Sequence, residues 1–379
     1  MVLCTAAANP EVVVVAVCDR FEPLTLKACQ EVQGHDVHRF TDHKQMLREA
    51  AIDAVLVVVE PENAAAVSID VLNAGRHVYS EVPLGVTLDE CWRLVLAVER
   101  TGLKYQLGEQ TRHFPFIRAW RKLVADGTLG SIVHAEGQYL HGMNDDRYWM
   151  DGDTGARLTL AQAEHHPNKI RSRFWNLTHP ILYLPHELSP LLFVMDDHVV
   201  SVTGMSTGSP SRVHPWFPNP DFEIAIMKTH KGAILRLCVG FTIEQLRRKD
   251  LGCHWYSVMG TRGSVESNRT DGDAMKLWLP QGPDAQPQPM NWDFDAAVPQ
   301  AARDSGHGGS DYWPIRGFID AIQNDQPVEM DVYAAVQSAA PAIVAAQSIE
   351  LNSRLLNVPN FRPGADRALG QAPREQAQT

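Results

Sequence analysis

Between residues 11 and 108 the chain alternates short β-branched runs with helical patterns, and this alternation restricts the fold more than any other feature of the sequence. The strand candidates are residues 12–18, 37–40, 54–59, 77–80 and 104–107. The helix candidates between them are residues 23–33, 42–50, 62–74 and 87–101. Short strands that are each followed by a helix require right-handed βαβ crossovers. The pattern therefore predicts an α/β fold with a parallel sheet.

Capping residues mark where several of these helices begin and end. Asp42 is a good N-cap, and Thr87 with Glu90 has the spacing of a capping box. Gly75 and Gly102 stand where a helix commonly ends in a left-handed conformation. The local signals thus agree with the alternating pattern.

From residue 115 onward, longer strands mostly follow one another directly. A helix is predicted over residues 115–125, with Pro115 at its first position and Gly127 after its end. The strand candidates after it are residues 131–140, 199–207, 222–230, 232–241, 252–260 and 275–279. Lys231 and Gly232 read as a hairpin turn between two of them. This part predicts an α+β domain with a large, open, mostly antiparallel sheet.

The length and charge of the chain limit its class. A chain of 379 residues suits two domains, which we place at residues 1–113 and 114–365, followed by a polar tail at 366–379. Residues 282–289 read as a loop rich in Pro and Gln. The net charge of −11 gives no general attraction to nucleic acid or to an anionic membrane. The longest apolar runs, 12–18 and 54–59, are far shorter than the ~20 residues that span a bilayer.

The six cysteines form no CxxC pair and have no regular spacing. Several lie in apolar runs, which favours reduced thiols and a cytoplasmic location. The adjacent His165 and His166 have no carboxylate cluster beside them, so no metal site is predicted.

Five segments carry a family resemblance. They are AVCDR at 16–20, AGRHVYSEVP at 74–83, GEQTRHFP at 108–115, YLPHELSP at 183–190 and GHGGSDY at 306–312. Their order and spacing resemble the Gfo/Idh/MocA oxidoreductase family, the glucose–fructose and inositol dehydrogenase type. The last two resemble the branch that includes NAD-dependent redox glycosidases. The resemblance covers nearly all the chain and implies a Rossmann-type domain followed by a domain that binds substrate and mediates oligomerisation.

The resemblance implies a nicotinamide cofactor, NAD or NADP, with NAD favoured. Asp19 stands at the end of a strand, where a Rossmann fold places the acceptor for the ribose hydroxyls. Arg20 could instead hold the 2′-phosphate of NADP, and Glu60, where the family has threonine, puts a carboxylate near the cofactor phosphates. The further cofactor-binding candidates are Pro61, Asn63, Glu81, Pro83, Glu109 and Gln110.

One family segment has no counterpart here. The family has a glycine-rich strand–turn–helix ahead of the strand that ends in aspartate, whereas residues 1–9 read as the tail of that helix. We therefore expect a Rossmann-type sheet without its first strand. Either the natural protein continues upstream, where any export signal would also lie, or this is a short form that binds dinucleotide weakly.

The residue for proton transfer is the second departure from the family. Val82 stands where the family has a lysine beside the nicotinamide, and valine can only pack. The catalytic candidates are therefore His186, Tyr183 and His307, and the substrate-binding candidates are Arg112, His141, His179 and Tyr312. The plainer alternatives are a structural, hydrogen-bonded His186, a turn residue at His307 and a salt-bridged Arg112.

Three functions follow, in decreasing order of support. The first is an oxidoreductase that transfers a hydride from a hydroxyl of a sugar, polyol or glycoside. The second is a redox glycosidase or lyase, which oxidises a ring hydroxyl transiently so that the aglycone leaves by elimination. The third is a catalytically silent binding or assembly protein. The expected partners are a small sugar-like substrate and further copies of the chain, joined through the sheet of the second domain, with no nucleic acid and no membrane.

Overall fold

We describe a computed structural model of the chain over residues 2–32, 36–141, 148–210, 219–243, 252–279, 286–290 and 298–364. The predicted tail at 366–379 and the loop residues 282–285 lie outside these ranges. The proposed domain boundary at residue 113 stays a prediction.

The N-terminal part alternates strands and helices, as predicted. Its strands are β1 (Ala16–Cys18), β2 (His38–Phe40), β3 (Ala54–Val57), β4 (His77–Ser80) and β5 (Tyr105–Leu107). Its helices are α1 (Val2–Ala7), α2 (Glu22–Glu31), α3 (His43–Glu49), α4 (Pro61–Asn73) and α5 (Leu88–Thr101). The Asp42 cap, the Thr87–Glu90 capping box and the left-handed Gly102 are all present. The local signals therefore placed these helix ends correctly.

The parallel strands form two separate sheets in the described part of the chain. β1 pairs with β2, and β3, β4 and β5 form the second sheet in that order. No ladder joins β1 to β3 among the described residues. The described ladder of β1 holds residues 16–18 of the predicted 12–18.

The C-terminal part is built on a nine-stranded sheet with a small sheet beside it. Its strands are β6 (Ile132–Leu140), β7 (Trp149–Asp151), β8 (Arg157–Leu158), β9 (Lys169–Arg171), β10 (Val199–Ser206), β11 (Glu223–Thr229), β12 (Ile234–Gly240), β13 (His254–Gly260), β14 (Ser264–Glu266), β15 (Met275–Trp278), β16 (Gln288–Met290) and β17 (Leu356–Asn357). Its helices are α6 (Pro115–Ala125), α7 (Leu160–His165), α8 (Pro185–Met195), α9 (Gln300–Arg303), α10 (Tyr312–Gln323) and α11 (Val332–Glu350).

The large sheet has the order β16-β15-β14-β13-β6-β12-β11-β10-β17 and is antiparallel except for the β6–β12 pair. The predicted fold class is therefore confirmed. The predicted loop at 282–289 extends too far, because residues 288–290 form β16 and pair with β15. The three short strands β7–β9 were not predicted.

Two buried helices cover one face of the large sheet. All eleven residues of α8 are buried, and α11 packs against β10 and α8. Among the described helices, Val332–Glu350 is long and apolar enough to cross a membrane, but 72% of the window tested is buried inside the protein. The hydrophobic core under these helices continues into the N-terminal part. It includes Leu72 and Leu107 there, together with Trp120 and Tyr256 of the C-terminal part.

Candidate active site

A cleft of about 400 Å³ opens where the carboxyl ends of β4 and β5 meet the covered face of the large sheet. In a parallel α/β sheet this is the edge at which ligands bind. The described residues that line it are Leu3, Val58, Tyr79, Glu81, Gly108, Gln110, Tyr139, Arg173, Tyr183, His186, His307, Asp311 and Ile315. All three predicted catalytic residues lie in this lining, together with Glu81 and Gln110.

His186 pairs with a fully buried carboxylate. Its Nδ1 lies 2.9 Å from Oε1 of Glu109, which also accepts hydrogen bonds from the backbone and hydroxyl of Thr111. Burial alone would raise the pKa of Glu109, but the charge of His186 and the hydrogen bonds of His186 and Thr111 outweigh it and lower that pKa. Glu109 therefore stays ionised and fixes the His186 ring, which leaves Nε2 for a substrate.

The backbone around His186 is also fixed. Its carbonyl accepts a hydrogen bond from the hydroxyl of Tyr256 at 2.9 Å, and the Thr111 hydroxyl lies 2.8 Å from the same oxygen. The Tyr183 ring meets the His186 ring edge-on, with 4.8 Å between their centroids. Both groups therefore lie on the same wall of the cleft.

A second histidine–carboxylate pair lies behind that wall. Glu187 follows His186 on α8, and its Oε1 lies 2.6 Å from Nδ1 of His254. Consecutive helix residues point about 100° apart, so the two side chains reach different partners. The Tyr139 ring stacks on His254 with 4.5 Å between centroids and meets His186 edge-on at 5.5 Å. Tyr139 therefore contacts both histidine rings, His186 in the cleft and His254 behind it.

Gly137 on β6 makes this arrangement possible. A Cβ at that position would lie 2.8 Å from Cβ of Glu187 and 2.9 Å from Cδ2 of Leu237. Such contacts are too close for a side chain, so the glycine allows α8 to approach β6.

The opposite side of the cleft carries a third pair, formed by His307 and Asp311. His307 has a left-handed backbone with φ 51° in a short turn before α10, and its Nδ1 lies 2.8 Å from Oδ1 of Asp311. Burial opposes the charged ring, but the hydrogen bond and charge of Asp311 outweigh it and raise the pKa of His307. The turn therefore places in the cleft lining a ring that is protonated more readily than an ordinary histidine.

Glu81 and Arg173 lie together at the strand ends. Burial raises the pKa of Glu81, although the charges of Arg173 and His186 oppose this. The Arg173 guanidinium lies 3.5 Å from the carbonyl oxygens of Val59 and Val82, at the ends of two neighbouring strand segments. The side chain of Val82 is fully buried in the core, which agrees with a packing role.

The remaining cofactor candidates lie outside the described lining of the cleft, and one of them, Glu109, is the partner of His186. Asp19 accepts a hydrogen bond of 2.8 Å from the backbone of Phe21, and burial, aided by the charge of Glu60, raises its pKa. Arg20 forms an ion pair with Glu60. The other three are accounted for locally: Asn63 contacts Glu60 at 3.4 Å, Pro61 begins α4, and Pro83 follows a cis peptide bond and is buried.

The four predicted substrate-binding residues are absent from the described lining. Arg112 is buried against Met330 and lies over the Phe193 ring at 4.4 Å, so a structural role explains it. The His141 ring packs on Tyr139 and Phe241, in the layer behind the cleft. His179 pairs with Glu223 at 2.7 Å, which raises its pKa, and Tyr312 packs on Trp313.

Sequence reasoning missed Tyr139, Arg173 and Asp311 as parts of the site. A signal existed for Asp311, which stands four residues after His307 in the GHGGSDY segment. Tyr139 and Arg173 come from distant parts of the chain, and no local pattern marks them.

We expect Asp311→Asn to lower the pKa of His307, because the ionised hydrogen-bond partner that raises it is lost. The ring titration is measured by NMR, with the signal assigned through His307→Gln. The pKa of His307 in the folded protein lies above its ordinary value of 6.5. The pair with Asp311 therefore stabilises the fold fully below pH 6.5, and this stabilisation is lost as the pH rises through the pKa of the folded state. Asp304→Asn, an exposed change in the same segment, should leave the titration unchanged. An unaltered midpoint in Asp311→Asn would contradict the assignment.

Two family profiles match the chain. Residues 4–109 match the oxidoreductase family with an NAD-binding Rossmann fold, and residues 292–367 match the C-terminal domain of glycosyl hydrolase 109. These findings confirm the family resemblance and the branch within it.

Individual proteins agree with the profiles. A glycosyl hydrolase family 109 protein of Shewanella pealeana is 24% identical over 85% of this chain and 72% of its own length. An alpha-N-acetylgalactosaminidase of Shewanella oneidensis is 22% identical over 92% of this chain and 80% of its own length. An oxidoreductase of Agrobacterium radiobacter, solved with NAD+, L-tartaric acid and magnesium, superposes with a TM-score of 0.70 at 14% identity, over 94% of each chain.

Proposed function

We propose that this chain, a member of the Gfo/Idh/MocA oxidoreductase family with a C-terminal domain of the glycosyl hydrolase 109 type, cleaves a glycoside with the aid of NAD and without net oxidation. The observation that carries the proposal is the presence of two histidine–carboxylate pairs, His186–Glu109 and His307–Asp311, in one cleft.

The number of proton transfers distinguishes the two enzyme hypotheses. Oxidation of a ring C–OH to C=O removes one hydride and one proton, which a single base can accept. Glycoside cleavage by elimination also removes the C–H proton next to the ketone and returns a proton to the departing oxygen. Water then adds, and the ketone regains the hydride. The second pair supplies an acid–base group that a simple dehydrogenase does not need.

The residues divide these tasks according to their surroundings. His186 accepts the hydroxyl proton at Nε2, releases it to water once the ketone has formed, and then accepts the C–H proton next to the ketone; the ionised Glu109 stabilises the imidazolium each time. Tyr183, on the same wall, orients the substrate and assists proton transfer. Asp311 raises the pKa of His307, which favours the protonated ring, and this ring can give its proton to the leaving oxygen.

The ends of β1, β4 and β5 carry residues that could hold a dinucleotide. A bound NAD would supply the hydride acceptor for a ring carbon and the donor for its later return. Asp19, at the end of β1, would accept the ribose hydroxyls, and Glu81, Gly108 and Gln110 line the cleft where β4 and β5 end.

Solvent deuterium tests the proposal. The full chain is incubated in D₂O with NAD and p-nitrophenyl glycosides, including the α-N-acetylgalactosaminide that the Shewanella oneidensis relative's name suggests. We expect nitrophenol release without matching NADH, and deuterium at one ring carbon of the freed sugar. NADH formed in step with an oxidised sugar, without nitrophenol, would support the dehydrogenase instead. A folded protein that does neither would contradict both enzyme hypotheses.

We further propose that two copies of the chain associate through the open face of the large sheet. Strand register puts Met205, Ile226, Ile234 and Met259 on that face, with exposed fractions of 64%, 39%, 40% and 40%. At its centre, Glu136 and Arg236 form an ion pair, so the carboxylate there is already paired within the chain. Light scattering should show an oligomer that dissociates in Ile226→Glu/Ile234→Glu. A monomeric wild type would contradict the proposal.

We also propose a cytoplasmic location. All six cysteines are free thiols, and Cys91, Cys238 and Cys253 are buried. This supports a reducing compartment, and fractionation of the native host would test it.

A further inference from the structure

The ion pair between Arg20 and Glu60 connects the two parallel sheets. Arg20 lies two residues beyond the end of β1, and Glu60 immediately precedes α4, beyond the end of β3. The described residues contain no ladder between these strands, so the ion pair is a direct polar link between their carboxyl ends.

We infer that Glu60 makes the site prefer NAD over NADP by holding Arg20 away from the position of a 2′-phosphate. This inference rests on the proposed use of a dinucleotide. In Rossmann folds an acidic residue at this strand end binds the ribose hydroxyls, and a neighbouring arginine accommodates the 2′-phosphate. Here both residue types are adjacent, as Asp19 and Arg20, so the partner of Arg20 decides between the cofactors.

Two contacts keep Glu60 in place. One of its oxygens pairs with Arg20, and the other lies 3.4 Å from Nδ2 of Asn63, one turn along α4. With Asp19, Glu60 and Arg20 all ionised, the group carries a net charge of about −1, which repels a phosphate dianion. Neutral ribose hydroxyls are free of that repulsion.

The Glu60→Gln substitution separates this role from folding. The side chain of Arg20 is 60% exposed, and ion pairs of exposed groups contribute little to folding stability. Glutamine retains the size of the side chain and a polar contact for Asn63, but it removes the charge that holds Arg20. The guanidinium is then available for a charge-assisted hydrogen bond to phosphate.

Calorimetric binding of NAD and NADP to the full chain tests the inference at low ionic strength. We expect Glu60→Gln to lower the ratio of the NADP Kd to the NAD Kd by about tenfold or more, since one charge-assisted hydrogen bond accounts for a factor of that order. The double variant Arg20→Ala/Glu60→Gln should lose most of this gain. Glu49→Gln, an equal change of charge on an exposed residue of α3, should leave the ratio unchanged.

The binding results distinguish a failure of this inference from a failure of the proposed function. A wild type that binds NAD, with an unchanged ratio in Glu60→Gln, would overturn the inference and leave the proposed function intact. A gain of NADP binding that survives removal of Arg20 would also overturn it. A folded wild type that binds neither dinucleotide would overturn both the proposed function and this inference.

Discussion

Replacing His186 with asparagine should lower the rate of glycoside cleavage by about two to four orders of magnitude, the usual contribution of a positioned general base. The asparagine amide can donate to Glu109 in place of Nδ1, so the buried carboxylate keeps a partner. The ring nitrogen Nε2, which would accept the substrate proton, is lost. The expected result is therefore a folded protein with almost no turnover.

The measurement is nitrophenol release at saturating NAD, with thermal unfolding as the check on folding. His198→Asn is the matched control, because His198 stacks on His230 at 4.8 Å and lies outside the described cleft lining. It should retain the activity of the wild type. Turnover within tenfold of the wild type in His186→Asn would remove His186 from the mechanism.

Glu187→Ala should lower the free energy of unfolding by about 1–3 kcal/mol, the cost of leaving the buried ring of His254 without its hydrogen-bond partner. Glu187 is fully buried, and His254, 2.6 Å away, is 3% exposed. Once Glu187 is removed, the buried His254 ring cannot replace the lost hydrogen bond with one to water. The loss should therefore be much larger than for a surface carboxylate.

Denaturant unfolding measures this loss as a shift of the midpoint at constant slope. Glu187→Gln keeps a side-chain oxygen for His254 and should lose less than Glu187→Ala. Glu49→Ala, an exposed change, should stay within about 0.5 kcal/mol of the wild type. A loss below about 1 kcal/mol in Glu187→Ala would show that the pair does not stabilise the fold.

The architecture was largely predictable because its signals are local. The alternation of strands and helices, the Thr87–Glu90 capping box and the turn at Gly232 depend on near neighbours in the sequence. The small sheet was not predictable, since strands of two or three residues such as β8 are too short to show a period. Its place depends on contacts with distant residues.

The site was predictable to a smaller extent, because contacts between distant residues decide which side chains reach it. His186 and His307 were found because ordered motifs mark them, and both line the cleft. Arg112 and His179 were assigned to substrate, but Met330 and Glu223 account for them. Those partners are 218 and 44 residues away in the sequence, so one chain without its fold cannot pair them.

The Glu109–His186 pair also makes the site dependent on how the two parts of the chain are docked. Glu109 follows β5 of a parallel sheet, whereas His186 stands at the start of α8 on the large sheet. A hinge motion that separates these parts would break the 2.9 Å contact and deprive the carboxylate of the imidazole that offsets its burial. The docking of the two parts and the orientation of the His186 ring are therefore one and the same condition.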